Sequence, residues 1–182
     1  MPRAYWLDGT LSSQLVLIEP SKYEFKRIQD AFEHRHNNDY DMEIVNDLYG
    51  KSCIIIPHRR YDLLTGEFKG TNHANYLGSK EEVWDPNKVL NETKFIHFSD
   101  WPFPKPWLRP TPEQESAATP PCLTDSNGQQ DCRDRDIWKR IYQDFHERRE
   151  RVCGDSFAKR DLEKRDTGFE QAQPYEWLPR FR

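Results

Sequence analysis

Runs of apolar residues and amphipathic stretches alternate in the first half of the chain. Residues 15–18 form a continuous apolar run that ends before Pro20, which predicts a strand buried on both faces of a sheet. Ser21 and Glu24 then have the Ser-x-x-Glu spacing of a capping box, so a helix is predicted to begin there. The apolar positions of this helix fall on one face, at Phe25, Ile28, Ala31 and Phe32. The pattern predicts a strand–helix unit of an α/β fold.

A second helix and a second strand are predicted after this unit. Apolar residues recur at helical spacing from Met42 to Tyr49, and Asp41 lies at the start of that helix. A carboxylate at this position stabilises the helix dipole, which is the structural alternative to a chemical role. We do not interpret Asp39-x-Asp41 as a metal-binding pair, because such pairs close an apolar strand and the preceding residues here are polar. Residues 53–56 are apolar and predict the second buried strand, stopped by a proline.

Residues 94–107 combine a β-prone segment with candidate chemistry. Their sequence is Lys-Phe-Ile-His-Phe-Ser-Asp-Trp-Pro-Phe-Pro-Lys-Pro-Trp, and the three prolines stop any strand. His97 is therefore expected at the end of a short strand and Lys105 in a rigid loop. An imidazole and an ammonium group on such supports suit a metal-bound anion such as a diphosphate. The alternative is a half-buried His and a solvated Lys with no chemical role.

The loop after the second predicted strand is rich in hydrogen-bond donors. Arg59 and Arg60 could hold anions or hydroxyl groups, and Tyr61 combines an apolar ring with a polar tip. A solvated surface turn explains the same residues equally well.

The second half of the chain changes in composition. Residues 111–131 are rich in Pro, Ser, Thr, Asn and Gln, which predicts a linker. Residues 132–154 form an amphipathic helix that carries Cys residues. Asp134 and Asp136 fall in its first turn, and an arginine cluster falls in its last, as the helix dipole favours. Residues 155–182 form a charged tail.

Composition and charge exclude several classes of protein. The 182 residues carry a net charge of −4 with both signs mixed, which gives no expectation of nucleic-acid binding. The aromatic content of 13% argues against general disorder. No apolar run approaches about 18 residues, so no membrane span is expected. No apolar leader segment is visible at the N-terminus.

The cysteines indicate an oxidising compartment. Cys53 lies in an apolar segment and is expected to be a buried thiol. Cys122, Cys132 and Cys153 lack the close pair that a zinc site usually shows, so a disulfide is expected among them, with its pairing open. Asn91 begins an Asn-Glu-Thr glycosylation sequon. These features favour the secretory route.

Four segments, in order, resemble glycosyltransferase family 8, the glycogenin-like enzymes. Residues 95–107, with Phe-Ile-His-Phe and then Lys-Pro-Trp, resemble the His-Phe-x-Gly-x-x-Lys-Pro-Trp segment of that family. Residues 11–21 resemble its Phe-Asn-Ser-Gly-Val strand, residues 41–46 its Asp-Gln-Gly-x-x-Asn helix start, and residues 56–62 its Leu-Pro-x-x-Tyr-Asn loop. The Cys-containing helix after Asp131 is similar to the fungal Golgi N-acetylglucosaminyltransferases of the family.

This resemblance implies a fold, an activity and a set of site residues. Residues 1–110 would be the C-terminal half of a GT-A-like nucleotide-diphospho-sugar transferase domain, followed by the added helix. The activity would be retaining, Mn²⁺-dependent transfer of a sugar, with N-acetylglucosamine as the candidate, from a UDP-sugar to a glycan acceptor in the Golgi or secretory pathway. His97 would be a metal ligand, Lys105 would contact the donor diphosphate, and Asp41 would act at the donor sugar. Tyr61 and Trp107 would contact substrate.

The chain also departs from the family pattern. His97 and Lys105 are two residues further apart than in the family, and Met42 and Glu43 replace the Gln and Gly after the helix-start Asp. The family's nucleotide-binding units and metal-binding Asp-x-Asp have no counterpart in these 182 residues. We therefore expect the chain alone to be inactive and to bind Mn²⁺ and UDP-sugars weakly or not at all. A non-catalytic transferase remnant and a secreted binding module are the alternative hypotheses.

Overall fold

The computed structural model describes residues 1–124 and 128–154, and these form a mixed, mostly helical structure with two small sheets. Four strands are present in the described ranges: β1 (Leu63–Leu64), β2 (Ile96–His97), β3 (Leu123–Thr124) and β4 (Gln130–Asp131). A 3-10 helix spans Thr65–Lys69. The α-helices are α1 (Lys22–Glu33), α2 (Asp41–Tyr49), α3 (His58–Tyr61), α4 (Ala74–Leu77), α5 (Pro86–Glu92), α6 (Pro112–Ala118) and α7 (Arg133–Cys153).

Each of the two sheets has two strands. β1 and β2 are parallel, with Leu63 opposite Ile96 and Leu64 opposite His97. β3 and β4 form an antiparallel hairpin, and the Cys122–Cys132 disulfide closes it just outside the paired residues. A disulfide was expected among the three late cysteines, and the tertiary structure decides which two it joins. The predicted α/β class is thus confirmed only as a mixture of helices and short strands.

The two predicted buried strands are wrong. Residues 15–18 and 53–56 have no regular strand structure, and Leu17, Ile18, Ile54 and Ile55 are exposed. The second segment forms only an isolated parallel bridge between Ile56 and Pro2. An apolar run has high strand propensity, but it becomes a strand only where another strand supplies hydrogen-bond partners.

The predicted helices are confirmed, because their signals are local. The hydroxyl of Ser21 accepts a hydrogen bond from the Glu24 N–H at 3.3 Å, which caps α1. Asp41 is the first residue of α2, as expected for a first-turn carboxylate. The predicted core face of α1 is nevertheless unburied, and Phe25 and Phe32 are exposed.

The described chain divides into two compact units. The first comprises residues 1–100 and 119–138. Its core contains fully buried side chains from each part of the sequence: Leu11, Leu63, Phe68, Tyr76, Val89 and Trp138. This unit therefore contains α1 to α5, both small sheets and the start of α7.

Among the described residues, the second unit comprises residues 101–118 and 139–154. The Phe103 ring packs edge-on against Tyr142, with centroids 5.0 Å apart, and the Trp107 ring lies 6.3 Å from Phe145. Helix α6 lies in the segment that was predicted to be a linker. The predicted charged tail, residues 155–182, lies outside the described residues. Across the described ranges, no helix has both the length and the apolar character of a membrane span.

Candidate functional site

Asn46 links two of the four family-like segments. Its side-chain carbonyl accepts from the Leu11 N–H at 2.8 Å, and its amide group donates to the Leu11 carbonyl at 2.7 Å. The same amide group donates to the Met42 carbonyl at 2.8 Å, within α2. Leu11 is buried, so its two backbone groups depend on this side chain for hydrogen bonds. Asn46 therefore holds the segment at residues 11–13 against α2.

We expect Asn46→Ala to lower the free energy of unfolding by roughly 2 kcal/mol, because it leaves the buried N–H and carbonyl of Leu11 without partners. Urea denaturation followed by circular dichroism measures this change. The matched control is Asn87→Ala, at an exposed asparagine of α5, which should change stability by less than about 0.5 kcal/mol. Equal effects of the two substitutions would show that the Asn46–Leu11 pairing contributes little.

Asp41 lies at the edge of this linked region. The Ser13 hydroxyl donates to its carboxylate at 2.6 Å, and both side chains are accessible to solvent. A solvent-accessible carboxylate accepts hydrogen bonds only, so Asp41 can receive further hydroxyl groups. Its predicted role at a donor sugar stays a prediction.

The donor-rich segment that includes Tyr61 was predicted to be a loop, but it forms the helix α3. One of its two arginines is held in ion pairs within the protein. The Arg59 guanidinium donates to Glu82 at 2.8 and 3.0 Å and to Glu92 at 3.0 Å. Lys88 adds a further contact to Glu82 at 2.9 Å, and these cations, Arg59 first, lower the pKa of the Glu82 carboxyl to about 2. Arg59 is thus a structural residue. Tyr61, at the end of α3, is half-buried, and its predicted contact with substrate stays a prediction.

Asp62 is a buried carboxyl that the sequence analysis did not single out. Its exposed fraction is 0%, and neither carboxylate oxygen forms a hydrogen bond of ordinary geometry within the described part of the chain. Burial raises the pKa of Asp62 to about 6, and the nearby Ser12 hydroxyl offsets this shift only in part. The only sequence signal is that Asp62 stands where the resembled loop has Asn.

The remaining predicted site residues lie in different units. His97 is half-buried on β2 in the first unit, whereas Lys105 and Trp107 belong to the second. Trp107 lies near Phe145 of its own unit, and Lys105 is half-buried. The metal, diphosphate and substrate roles predicted for these three residues stay predictions.

Asp100 forms a buried polar cluster in the first unit. Its carboxylate accepts from the Thr65 hydroxyl and, at 3.0 Å, from the indole N–H of Trp138, and it pairs with Lys69 at 3.1 Å. The Thr65 oxygen in turn accepts from the Ser99 N–H at 2.9 Å. Because the carboxylate binds Thr65 and Lys69 of the 3-10 helix and Trp138 of α7, it holds the start of α7 against the 3-10 helix. Its role is structural.

A polar cavity of about 230 Å³ lies beside α4, lined by residues that include His73, Lys80, Glu82 and Trp84. The His73 and Trp84 rings stack at 3.9 Å, and the His73 Nδ1 lies 3.0 Å from Glu67. The Trp84 indole N–H donates to Asp134 at 2.8 Å. Because its aromatic and acidic residues already bind each other, this cavity gives no clear indication of a ligand.

Comparison with known proteins identifies similar sequences in fungi. Glucose N-acetyltransferase 1 of Gibberella zeae is 50% identical over 159 residues, which cover 84% of this chain and 34% of that protein. The Aspergillus fumigatus protein of the same name is 42% identical over 168 residues, covering 84% of this chain and 44% of its own length. The Saccharomyces cerevisiae protein of that name is 26% identical over an alignment of 182 residues, which covers 78% of this chain and 36% of that protein.

No family model and no solved structure matches the chain. The chain spans 34% of the length of the Gibberella zeae protein and 44% of the length of the Aspergillus fumigatus protein, which is less than half of each. Identity of 50% over most of this chain is far above what unrelated sequences share. The chain is therefore homologous to a part of the fungal proteins called Glucose N-acetyltransferase 1.

Proposed function

We propose that this chain is part of a sugar transferase that moves a sugar, with N-acetylglucosamine as the candidate, from a UDP-sugar to a glycan acceptor with retention of configuration. The observation that carries the proposal is the 50% identity with a Glucose N-acetyltransferase 1 over 84% of the chain. The family-like motif segments, in the family's order, support the same activity. The whole transferase, and not this chain alone, is the catalytic unit.

Asp41 is the residue that we propose to act at the donor sugar. The Asn46–Leu11 pairing holds residues 11–13 beside α2, and the Ser13 hydroxyl fixes one oxygen of the Asp41 carboxylate at 2.6 Å. A carboxylate that is oriented before substrate binds loses less entropy on binding a hydroxyl group. Tyr61, in the same unit, is a further proposed substrate contact. Lys105 and Trp107 belong to the second unit, and their proposed substrate roles rest on the resemblance alone.

Mn²⁺ is implied by the resemblance, but the described residues do not form a site for it. No group of three or more His, Cys, Asp or Glu side chains capable of holding a metal occurs in residues 1–124 and 128–154. A single imidazole from His97 does not supply the several nitrogen and oxygen ligands that Mn²⁺ takes. We therefore assign no catalytic step to a metal bound by this chain.

A Golgi or secretory location is proposed for the same protein. The Cys122–Cys132 disulfide supports it, because disulfides persist in oxidising compartments and are rare in reducing ones. The sequon at Asn91 is exposed at the end of α5, where a glycan could be attached.

A chimera tests the proposed function. The matched span of this chain replaces the corresponding 159-residue span of the Gibberella zeae relative, and transfer from UDP-N-acetylglucosamine is measured. We expect the chimera to transfer sugar and Asp41→Asn in it to reduce kcat by a factor on the order of 10² or more, since a group acting at the reacting sugar is lost. The control, Asp47→Asn, makes the same charge change at an exposed carboxyl of α2 and should leave kcat unchanged. A folded chimera without transfer would favour the non-catalytic remnant.

A further inference from the structure

The segment at residues 54–56 has one open backbone edge. The Ile56 N–H donates to the Met1 carbonyl at 3.1 Å, and the Ile54 carbonyl also accepts from Met1, while Pro2 pairs with Ile56 in a parallel bridge. In a parallel ladder, successive residues direct their backbone groups to opposite edges, so those of Ile55 point away from Met1. Within residues 1–124 and 128–154, neither the N–H nor the carbonyl of Ile55 has a hydrogen bond.

The side chains of this segment have the pattern of an interior strand. Ile54 is 84% exposed and Ile55 is also exposed, although successive side chains of an extended segment point to opposite faces. A strand that is apolar on both faces is typical of a parallel sheet covered on both sides. Natural edge strands instead carry charges or prolines that prevent pairing. The exposed isoleucines therefore indicate that a neighbouring β-strand is missing beside Ile55.

Helix α1 also has an apolar face that no part of the described chain fully covers. It is strongly amphipathic, yet it has no buried residue, and Phe25 and Phe32 on its apolar face are exposed. Helices that cover a parallel sheet bury such a face. Together with the open edge at Ile55, this face indicates that the first unit is completed by further strands and helices.

The curated relatives contain sequence that could supply these further strands and helices. This chain matches 34% of the Gibberella zeae protein and 44% of the Aspergillus fumigatus protein, so more than half of each lies outside the matched span. We propose that the part of a Glucose N-acetyltransferase 1 polypeptide outside this span binds the first unit and adds a parallel β-strand along Ile55. The binding mode is strand addition, in which main-chain hydrogen bonds supply affinity and the exposed isoleucines supply specificity.

A second copy of this chain fits the edge less well. A twofold dimer joins identical edges, so two copies of residues 54–56 would pair antiparallel. The existing bridge from Pro2 to Ile56 is parallel, and an apolar pattern on both faces belongs to parallel sheets. The proposed partner is thus a different polypeptide segment that presents an apolar strand.

Co-expression tests the proposal without any measurement of catalysis, so its failure is distinguishable from failure of the transferase activity. The 182-residue chain is co-expressed with the tagged portion of the Gibberella zeae relative outside the matched span. We expect the two to co-purify in equal amounts, with slower hydrogen exchange at the Ile55 amide in the complex than in the free chain. Ile54→Lys should reduce the recovered chain about tenfold or more, equivalent to about 1.4 kcal/mol of binding.

Val83→Lys is the matched control, because Val83 is 83% exposed, nearly the same as Ile54, but lies in a loop before α5. It should leave co-purification unchanged, and both variants should fold as the parent does in circular dichroism. Absence of co-purification, or equal losses with the two variants, would overturn the proposal. A dimer of the free chain that Ile54→Lys converts to monomer would show that the second copy is the occupant instead.

Discussion

Replacing Asp62 with asparagine is expected to stabilise the chain by about 2 to 3 kcal/mol above pH 7, which is an unusual direction for a substitution at a fully buried residue. Burial raises the pKa of the Asp62 carboxyl from its ordinary value of 3.8 to about 6. Each unit of pKa corresponds to about 1.4 kcal/mol, so ionisation of the folded protein costs about 3 kcal/mol. Asn has nearly the same shape and no charge to desolvate.

The pH dependence follows from the direction of this shift. Between about pH 4 and pH 6 the folded protein holds a proton on Asp62 that the unfolded chain has lost. Stability therefore falls as the pH rises through this window and stays low above it. The parent and Asp62→Asn should have similar free energies of unfolding near pH 4 and should diverge by pH 7.

Urea denaturation at pH 4, 5, 6 and 7 measures this divergence. Asp47→Asn removes the same charge from an exposed position of α2, so its stability should follow that of the parent at every pH. Parallel curves for the parent and Asp62→Asn would mean that Asp62 is not desolvated in the folded chain. A loss of stability at all pH values would mean that its carboxylate has a partner in the folded protein.

Replacing Trp138 with alanine is expected to lower the free energy of unfolding by about 3 to 5 kcal/mol. Trp138 is 1% exposed, and its indole N–H donates to the buried Asp100 carboxylate at 3.0 Å. The Lys69 ammonium lies 4.8 Å from the ring centroid. The substitution therefore creates a cavity and removes a hydrogen-bond donor from a buried charge.

Two further variants separate these effects. Trp138→Phe keeps most of the ring volume and loses the donor, so it should cost about 1 to 3 kcal/mol. Trp101→Ala removes the same side chain where it is 73% exposed, and it should cost less than about 0.5 kcal/mol. If Trp138→Ala and Trp101→Ala had equal effects, the first unit would not depend on α7 for its core.

Local signals in the sequence predicted the helices well. The Ser21 cap and the first-turn carboxylate at Asp41 act on neighbouring backbone groups, so they need no distant partner. The amphipathic pattern of residues 132–154 likewise predicted α7, and the structure shows that Trp138 in this helix is buried. Helical hydrogen bonds are made within the segment itself, which is why these elements could be read from the sequence.

The candidate site could be predicted only in part. Asp41, Tyr61 and His97 were selected from their positions in motifs, and the structure places them on α2, α3 and β2 of one unit. The pairing of Asn46 with Leu11 spans 35 residues of sequence, so no local pattern indicates it. The burial of Asp62 depends on side chains brought from elsewhere in the chain, and a lone aspartate gives no sign of it.

The sequence by itself determined where helices begin and where prolines stop extended segments, because capping, helical hydrogen bonds and the proline ring act over a few residues. It also indicated the relationship to sugar transferases through short ordered motifs. Only the tertiary structure decided that Cys122 pairs with Cys132 and that Asp62 is buried. It also decided that Leu17, Ile18, Ile54 and Ile55 of the two apolar runs are left exposed. Strands and buried charges depend on partners distant in sequence, so their state is set by which partners the folded chain supplies.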